Sequence, residues 1–286
     1  MRILVTGANG YLGSGIVKHL LDDGNRVIAT GRRLDRIDER AERVEANLFE
    51  IENPYEFFNK PEVVLHLAWR DGFVHYSNAH IDDLPKHYRF LESLATAGIS
   101  RIAVMGTMHE IGFFEGPIKE DTPCHPVTPY GIAKNALRDL TKMLCVKNDI
   151  AFQWLRGFYI VGNSQYGSSI FSKIAASEAE GKKEFPFTTG QNQFDFIDYE
   201  DFCEQVAKAV EQDSVQGVIN IGSGYPEKLA DRVERFIKEN NYKITLKYGA
   251  FPERPYDSKA VWGDGQKIKT IMEQTCNGTN IDNEKS

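Results

Sequence analysis

Three glycines at intervals of three residues follow the first apolar run of the chain. Ile3–Thr6 is β-branched and apolar, and Gly7, Gly10 and Gly13 come directly after it, ahead of a stretch with helical periodicity. A glycine triplet alone often marks only a turn. Between a strand and a helix, however, it lets the backbone approach a pyrophosphate at the helix N-terminus, which predicts a dinucleotide-binding site. The residues expected to contact the cofactor here are Gly7, Asn9, Gly10, Tyr11, Leu12 and Gly13.

The first half of the chain alternates short apolar runs with helical stretches. Arg26–Thr30, Val63–Leu67 and Arg101–Met105 have the composition of buried strands, and Pro85–Ala97 has that of a helix. Such alternation is typical of βαβ units that form a parallel sheet covered on both faces. We therefore expect an α/β fold, a doubly wound parallel sheet of the Rossmann type with a small C-terminal substrate lobe.

The alternation loosens in the second half of the chain. From Gly162 onward glycines and polar loops separate shorter elements, although the run Gly217–Gly222 again has the character of a strand. We predict a cofactor-binding core over residues 1–161 and a substrate lobe mainly over residues 162–286. Because the strand-like run belongs to the second part, the two parts are expected to be interwoven.

Composition and charge exclude several other classes of protein. The chain has 286 residues, a formal net charge of -7 and no run of lysines and arginines, so its global field repels nucleic acid and anionic membranes. Its four cysteines have no paired spacing, which argues against a disulfide framework or a metal site. No apolar run reaches the length of a membrane helix, and the first residues contain no signal segment. These features predict a cytoplasmic protein.

The end of the second predicted strand concerns the choice of cofactor. An NAD-specific site usually has an acid there for the ribose 2′-hydroxyl, but this sequence reads Ala29-Thr30-Gly31-Arg32-Arg33. Two guanidinium groups suit a 2′-phosphate, so Arg32 and Arg33 predict NADP(H). The other interpretation is that both arginines only begin a solvated, charged stretch through Arg43.

A tyrosine and a lysine stand four residues apart within the predicted helix Thr128–Lys147. The spacing of Tyr130 and Lys134 places both side chains on one face of that helix. We expect the lysine charge to lower the pKa of the phenol, which can then exchange a proton with a carbonyl or alcohol oxygen. The pair is common by chance, but in order behind the glycine turn it becomes specific.

Three further runs match landmarks of one enzyme family. They are VLHLA at residues 64–68, GQNQFDFIDYED at 190–201 and NIGSG at 220–224. Together with the glycine turn and the tyrosine–lysine pair, they show that the chain resembles the extended short-chain dehydrogenase/reductase family over nearly its whole length. The resemblance implies an NAD(P)-dependent oxidoreductase that acts on a CH–OH or C=O group.

The resemblance also implies roles for individual residues. Thr107 and Tyr130 are expected to polarise the carbonyl, Tyr130 to donate the proton, and Lys134 to tune Tyr130 and hold the nicotinamide ribose. The cofactor itself does the hydride chemistry. By position, Asn47 and Leu48 are expected to flank the adenine, and Ala68 and Trp69 the ribose and nicotinamide.

The residues that follow Thr107 separate members of the family. Its dehydratases have an acidic pair there, and its epimerase-reductases a cysteine, whereas this chain has Met108 and His109. Together with the expected NADP(H), this favours a simple reductase. His109 either acts as a base or hydrogen-bonds a substrate hydroxyl, and we favour the second role. His66, inside an apolar run, is interpreted as structural.

Two positions concern the substrate. Arg254 resembles the arginine that family members use near the pyrophosphate of a sugar nucleotide, but Phe194 replaces the arginine that usually precedes the Asp-Phe of the lobe motif. The leading interpretation is the NADPH-dependent reduction of a ketone on a nucleoside-diphosphate sugar, a 4-keto-6-deoxyhexose. The alternatives are an NAD(P)-dependent sugar-nucleotide epimerase and a non-catalytic NADP(H)-binding sensor. A homodimer is the expected assembly.

Overall fold

A computed structural model of the chain describes residues 1–163, 169–252 and 258–282. The strands of these residues are, in chain order, β1 (Arg2–Thr6), β2 (Arg26–Gly31), β3 (Glu42–Glu45), β4 (Val63–His66), β5 (Arg101–Thr107), β6 (Gly116–Ile118), β7 (Ala151–Gly157), β8 (Tyr159–Val161), β9 (Glu184–Pro186), β10 (Gln193–Asp198), β11 (Gly217–Ile221), β12 (Pro226–Lys228), β13 (Thr245–Lys247) and β14 (Ala260–Gly263). The helices are α1 (Gly13–Asp22), α2 (Pro54–Phe57), α3 (Ala79–Ala97), α4 (Pro129–Asn148), α5 (Ile170–Ala179), α6 (Tyr199–Glu211), α7 (Leu229–Glu239) and α8 (Gln266–Asp282).

A seven-stranded parallel sheet in the order β3-β2-β1-β4-β5-β7-β11 forms the centre of the molecule. Apolar side chains of α1, α6 and α8 cover one face, and those of α3 and α4 cover the other. Because helices cover both faces, the central strands are continuously buried, as in β5. The predicted doubly wound Rossmann-type sheet is confirmed.

A smaller sheet lies beside the main one. It has the order β12-β10-β14-β6, and β8 also pairs with β10. Aromatic residues of β10, α5 and α7 fill a separate apolar core there, including Phe171, Phe196 and Phe236. The two sheets exchange strands along the chain, since β6 precedes residue 162 and β11 follows it.

Helix α3 begins six residues before Pro85, where the sequence analysis placed its start. The interior proline breaks one helical hydrogen bond, which usually ends or kinks a helix. Here a buried face continues through the proline and holds the helix together. The residues of that face, at spacings of three and four, are His80, Asp83, His87 and Phe90.

Candidate active site

The carboxyl ends of neighbouring parallel strands bring the predicted site residues to one edge of the main sheet. The glycine turn follows β1, Ala68 follows β4, and Thr107 ends β5. Gly7 has a φ of +67°, and a Cβ on it would lie 2.7 Å from the backbone nitrogen of Ala68. A Cβ on Gly13 would lie 2.4 Å from the carbonyl oxygen of Gly7. The turn can therefore pack this closely only with glycine at both positions.

The N-terminus of α1 is open in a way that suits an anion. Its N-cap residue is Leu12, which makes no side-chain hydrogen bond to the first turn. Nearby, the Tyr11 hydroxyl donates to the carbonyl of Gly162 and the Tyr199 hydroxyl donates to the carbonyl of Tyr11. The first turn of α1 thus follows the glycine turn without a side-chain cap, which suits a pyrophosphate.

Helix α4 carries Tyr130 and Lys134 to the same edge. Thr128 caps the helix by accepting a hydrogen bond from the backbone of Gly131. A Cβ on Gly131 would lie 2.4 Å from the carbonyl oxygen of His109, so the helix start packs directly against the turn after β5. Tyr130 is hydrogen-bonded to Thr107 in this arrangement. The structure therefore brings Thr107, Tyr130 and Lys134 together.

The pKa values of the pair differ from the sequence-based expectation. Burial raises the pKa of Tyr130 to about 12, although its hydrogen bond from Thr107 acts in the opposite direction. Burial also lowers the pKa of Lys134 to about 7. The expectation that the lysine charge depresses the phenol pKa is not met, because burial dominates and the charge of Glu110 raises the pKa further. A phenol that keeps its proton suits the role of proton donor.

Aromatic rings surround Tyr130 on several sides. The His75 ring stacks on it at a centroid distance of 5.0 Å with an interplanar angle of 10°. Trp69, His80 and His109 also contact the tyrosine ring. Trp69 and His109 were predicted from the sequence, but His75 and His80 were not. These two histidines lie in or just after a long loop where no motif marks them.

The buried histidines differ in their hydrogen bonding. His66 bonds to the Thr6 hydroxyl at 2.9 Å and to His87 at 2.9 Å, which fits the structural role expected for it. His80 accepts a hydrogen bond from the Trp69 indole N–H at Nδ1 and donates one from Nε2 to the carbonyl of Val74. Burial, reinforced by His75, lowers the pKa of His109 to about 4. That value makes His109 a weak base.

A buried ion pair lies directly beneath the turn that follows Thr107. Glu110 and Arg156 are both 0% exposed, and the Arg156 Nε donates to Glu110 at 2.6 Å. The indole nitrogen of Trp154 also donates to both carboxylate oxygens. Because Arg156 lies on β7, the ion pair ties this turn to that strand. Arg156 also donates a hydrogen bond to the carbonyl of Lys119. Sequence reasoning missed this pair, whose members are 46 residues apart.

Arg32 and Arg33, at the end of the site where the adenosine is expected to bind, have different surroundings. Arg33 donates two hydrogen bonds to Asp35, each 3.0 Å long, and this pairing lowers the pKa of Asp35 to about 2. Asp35 also accepts from the side chain of Asn9 in the glycine turn. Arg32 is exposed. The role of both guanidinium groups at a 2′-phosphate stays a prediction, and Arg33 has a carboxylate partner in this structure.

The remaining predicted residues fall into three groups. Asn47 and Leu48 lie beside the end of β2, where Asn47 caps a short 3₁₀ helix and Leu48 is buried. Phe194 on β10 packs against Tyr159 at a centroid distance of 4.8 Å. Arg254 lies outside the described residues.

In the described part of the chain no helix is long and apolar enough to cross a membrane, and no cluster of metal-binding side chains is present.

Comparison with known proteins identifies the relatives of this chain. The model of the NAD dependent epimerase/dehydratase family matches residues 3–222. A dTDP-6-deoxy-L-talose 4-dehydrogenase (NAD(+)) of Aggregatibacter actinomycetemcomitans is 42% identical over 92% of this chain and 99% of its own length. UDP-arabinose 4-epimerase 1 of Arabidopsis thaliana is 25% identical over 98% of this chain and 76% of its own length.

Solved structures share the fold. A UDP-N-acetylglucosamine 4-epimerase of Methanobrevibacter ruminantium M1, in complex with UDP-N-acetylmuramic acid, superimposes with a TM-score of 0.81 at 20% identity. The match covers 94% of this chain and 91% of that one. MoeE5 in complex with UDP-glucuronic acid and NAD gives a TM-score of 0.79 at 22% identity, covering 96% and 93% of the two chains.

Proposed function

This chain belongs to the NAD dependent epimerase/dehydratase family, and we propose that it interconverts a hydroxyl and a ketone at C4 of a deoxythymidine-diphosphate 6-deoxyhexose. The observation that carries the proposal is the hydrogen-bonded pair of Thr107 and Tyr130 beside the fully buried Lys134. The 42% identical relative, named as a 4-dehydrogenase of such a sugar nucleotide, supports the substrate class. Because an enzyme accelerates both directions of one equilibrium, that name and the expected 4-ketone reduction describe the same chemistry.

In the direction of reduction, Tyr130 and Thr107 have different roles. The Tyr130 phenol, whose pKa lies well above neutrality, donates its proton to the ketone oxygen. Thr107 hydrogen-bonds the Tyr130 phenol and fixes its orientation. The tyrosinate that remains takes a proton back from solvent. When bound, a reduced nicotinamide dinucleotide supplies the hydride for the carbon.

The residues present fit such a dinucleotide. The glycine turn and the uncapped start of α1 can hold the pyrophosphate, and Ala68 packs directly against Gly7 of the turn. Lys134 would hold the nicotinamide ribose. These contacts support a pyridine nucleotide of either type.

For the finer choice we infer NAD(H) in preference to the NADP(H) that the sequence alone suggested. The Asp35 carboxylate is hydrogen-bonded to Asn9 of the glycine turn, a position from which it would meet the adenosine ribose of a bound dinucleotide. A carboxylate accepts a hydrogen bond from a ribose 2′-hydroxyl but repels a 2′-phosphate. The NAD(+) in the name of the 42% identical relative agrees with this choice.

A 4-epimerase is the second candidate, because relatives at 24% to 26% identity have that name. An epimerase oxidises and re-reduces C4 with one retained cofactor, so it changes the sugar without net change in the dinucleotide. A dehydrogenase instead reduces one NAD⁺ for each ketone that it forms. The two functions therefore differ in a quantity that is measured directly.

The test is turnover of dTDP-6-deoxy-L-talose with added NAD⁺, followed by the absorbance of reduced nicotinamide. We expect NADH and 4-ketone in equal amounts, and the reverse reaction with the ketone and NADH. Tyr130→Phe should lower kcat by about 100- to 10,000-fold, as expected for the loss of a proton-transfer group. Tyr88→Phe is the matched control, since that hydroxyl bonds only Glu92 on the surface of α3. Inversion at C4 without NADH would instead establish the epimerase.

A further inference from the structure

The loop between β4 and α3 crosses the site in a fixed conformation. The Ser77 hydroxyl donates to the Asp71 carboxylate at 2.6 Å, and the Val74 backbone nitrogen donates to the Asp71 carbonyl at 2.7 Å. At its far side, the backbone nitrogen of Tyr130 donates to the His75 carbonyl at 3.1 Å. This last bond ties the loop to the first turn of the catalytic helix, so the position of His75 relative to Tyr130 is set by the backbone.

His75 and His109 approach the Tyr130 ring together. The His75 ring lies parallel to Tyr130, and the His109 ring centroid lies 4.4 Å from that of His75 and 6.1 Å from that of Tyr130. The two imidazoles come from different parts of the chain, one from the loop and one from the turn after β5. They therefore form a wall of the site on the side of the residue that transfers the proton.

The hydrogen bonding of these two rings sets them apart from the other histidines near the site. Among the described residues, His66, His80 and His87 each make a ring hydrogen bond to a protein partner. The rings of His75 and His109 make none. Both residues are half-buried beside Tyr130, so their unpaired ring nitrogens are available to water or to a bound ligand.

The electrostatic surroundings define what kind of ligand suits the pair. Burial lowers the pKa of His75 and of His109; His80 lowers the pKa of His75 further, and His75 lowers that of His109. The titratable groups that face the pair are His80, Tyr130 and Tyr159, which bring no carboxylate to either ring. Two neutral imidazoles offer one donor and one acceptor each, and this matches a hydroxyl, which both donates and accepts.

We propose that His75 and His109 together hydrogen-bond a hydroxyl of the hexose on a carbon next to the reacting one, which makes His75 a substrate-positioning residue. The inference rests on the proposed function, because it assumes that the ligand beside Tyr130 is a sugar. The pair orients the sugar ring so that its C4 oxygen meets Tyr130. It neither removes nor adds a carbon-bound proton.

Two substitutions at His75 separate hydrogen bonding from ring stacking. His75→Phe keeps a ring against Tyr130 but has no ring nitrogen, whereas His75→Gln keeps hydrogen-bonding capacity but has no ring. The control is His19→Gln on α1, whose ring bonds Glu200 at the surface. For each variant we would measure KM and kcat for the sugar nucleotide, the Kd of NADH, and the Kd of dTDP-glucose by calorimetry.

We expect His75→Phe to raise the KM of the sugar nucleotide about tenfold, which is the typical effect of one lost hydrogen bond. His75→Gln should restore most of that loss, and neither variant should change the Kd of NADH. A variant that binds NADH normally is folded at the sheet edge, so a raised KM then reports the sugar contact. If His75→Phe resembles the wild type while His75→Gln is impaired, stacking alone is the role and the inference is wrong.

The failure of the proposed function has a different signature. If the wild-type protein neither binds dTDP-glucose nor turns over any deoxythymidine-diphosphate sugar, the substrate class is wrong and this inference falls with it. If the wild type turns over the sugar and His75→Phe leaves KM unchanged, only the role of His75 is overturned.

Discussion

The ammonium group of Lys134 lies 4.0 Å from the centroid of the Trp69 ring and donates a hydrogen bond to the carbonyl of Met105 at 2.8 Å. Trp69 follows β4 and Lys134 lies on α4, so one contact joins the glycine-turn side of the site to its catalytic helix. A carbonyl and an aromatic face, together with the charge of Glu110, compensate this buried ammonium poorly for its lost hydration. Its pKa falls to about 7 for this reason.

This lowered pKa gives the stability of the protein a distinct pH dependence. The pKa of Lys134 is about 7 in the folded protein and near 10.5 in the unfolded chain, so between these values only the unfolded chain holds the proton. The free energy of unfolding therefore rises with pH across that window. Relative to Lys134→Met, the wild type should gain about 2 to 3 kcal/mol between pH 7 and pH 9. Urea unfolding at each pH measures this difference. If the free energies of unfolding of the two proteins change with pH in parallel, the buried, titrating lysine is contradicted.

The ion pair of Glu110 and Arg156 should control both stability and the position of Thr107. Removing one member of a buried pair leaves an uncompensated charge, so Glu110→Gln should lower the free energy of unfolding by about 3 kcal/mol or more. The double variant Glu110→Met with Arg156→Leu should recover part of that loss, because it removes both charges of the pair, while Arg138 loses only its 3.8 Å contact with Glu110 and keeps Asp139. Urea unfolding at neutral pH measures both. A loss below about 1 kcal/mol in Glu110→Gln would show that the pair contributes little.

Asp35 should decide between the two dinucleotides. Asp35→Ala removes a negative charge beside the ribose and frees Arg33 from its two hydrogen bonds, so the ratio of the Kd values of NADPH and NADH should shift toward NADPH by about tenfold or more. Asp38→Ala is the matched control, since Asp38 pairs with Arg40 in a similar way but makes no contact with the glycine turn. Equal ratios in the wild type and in Asp35→Ala would show that Arg32 and the charged loop as a whole, and not Asp35, determine which dinucleotide is preferred.

Local patterns sufficed to predict the parts of the site that depend on strand order. Gly7 follows β1 and Thr107 ends β5, two parallel strands on either side of β4, and Tyr130 and Lys134 share a helix face, so both relationships follow from spacing. Contacts between distant segments did not follow. Arg33 looked free because its partner Asp35 was read only as part of a charged stretch, and Glu110 meets Arg156 only in the folded sheet.

The pKa of Tyr130 illustrates the same limit. From the sequence, the neighbouring lysine was expected to depress the pKa, since a cation four residues away favours the phenolate. In the folded protein both groups are buried and Lys134 itself tends to lose its charge. Desolvation depends on what His75, Trp69 and the surrounding backbone cover, and no local spacing reports that.

The most direct test of the account is the fate of deuterium at C4 of the sugar. The 4-keto-6-deoxyhexose of deoxythymidine diphosphate is reduced with NADH deuterated at both C4 positions of the nicotinamide, and the product is analysed by mass spectrometry and NMR. We predict one deuterium per product molecule, at sugar C4, and one molecule of NAD⁺ formed for each. The same reaction with unlabelled NADH in D₂O should leave C3 and C5 free of deuterium. Failure to form the C4-labelled product, or enzyme-dependent solvent deuterium on C3 or C5, would contradict a simple dehydrogenase.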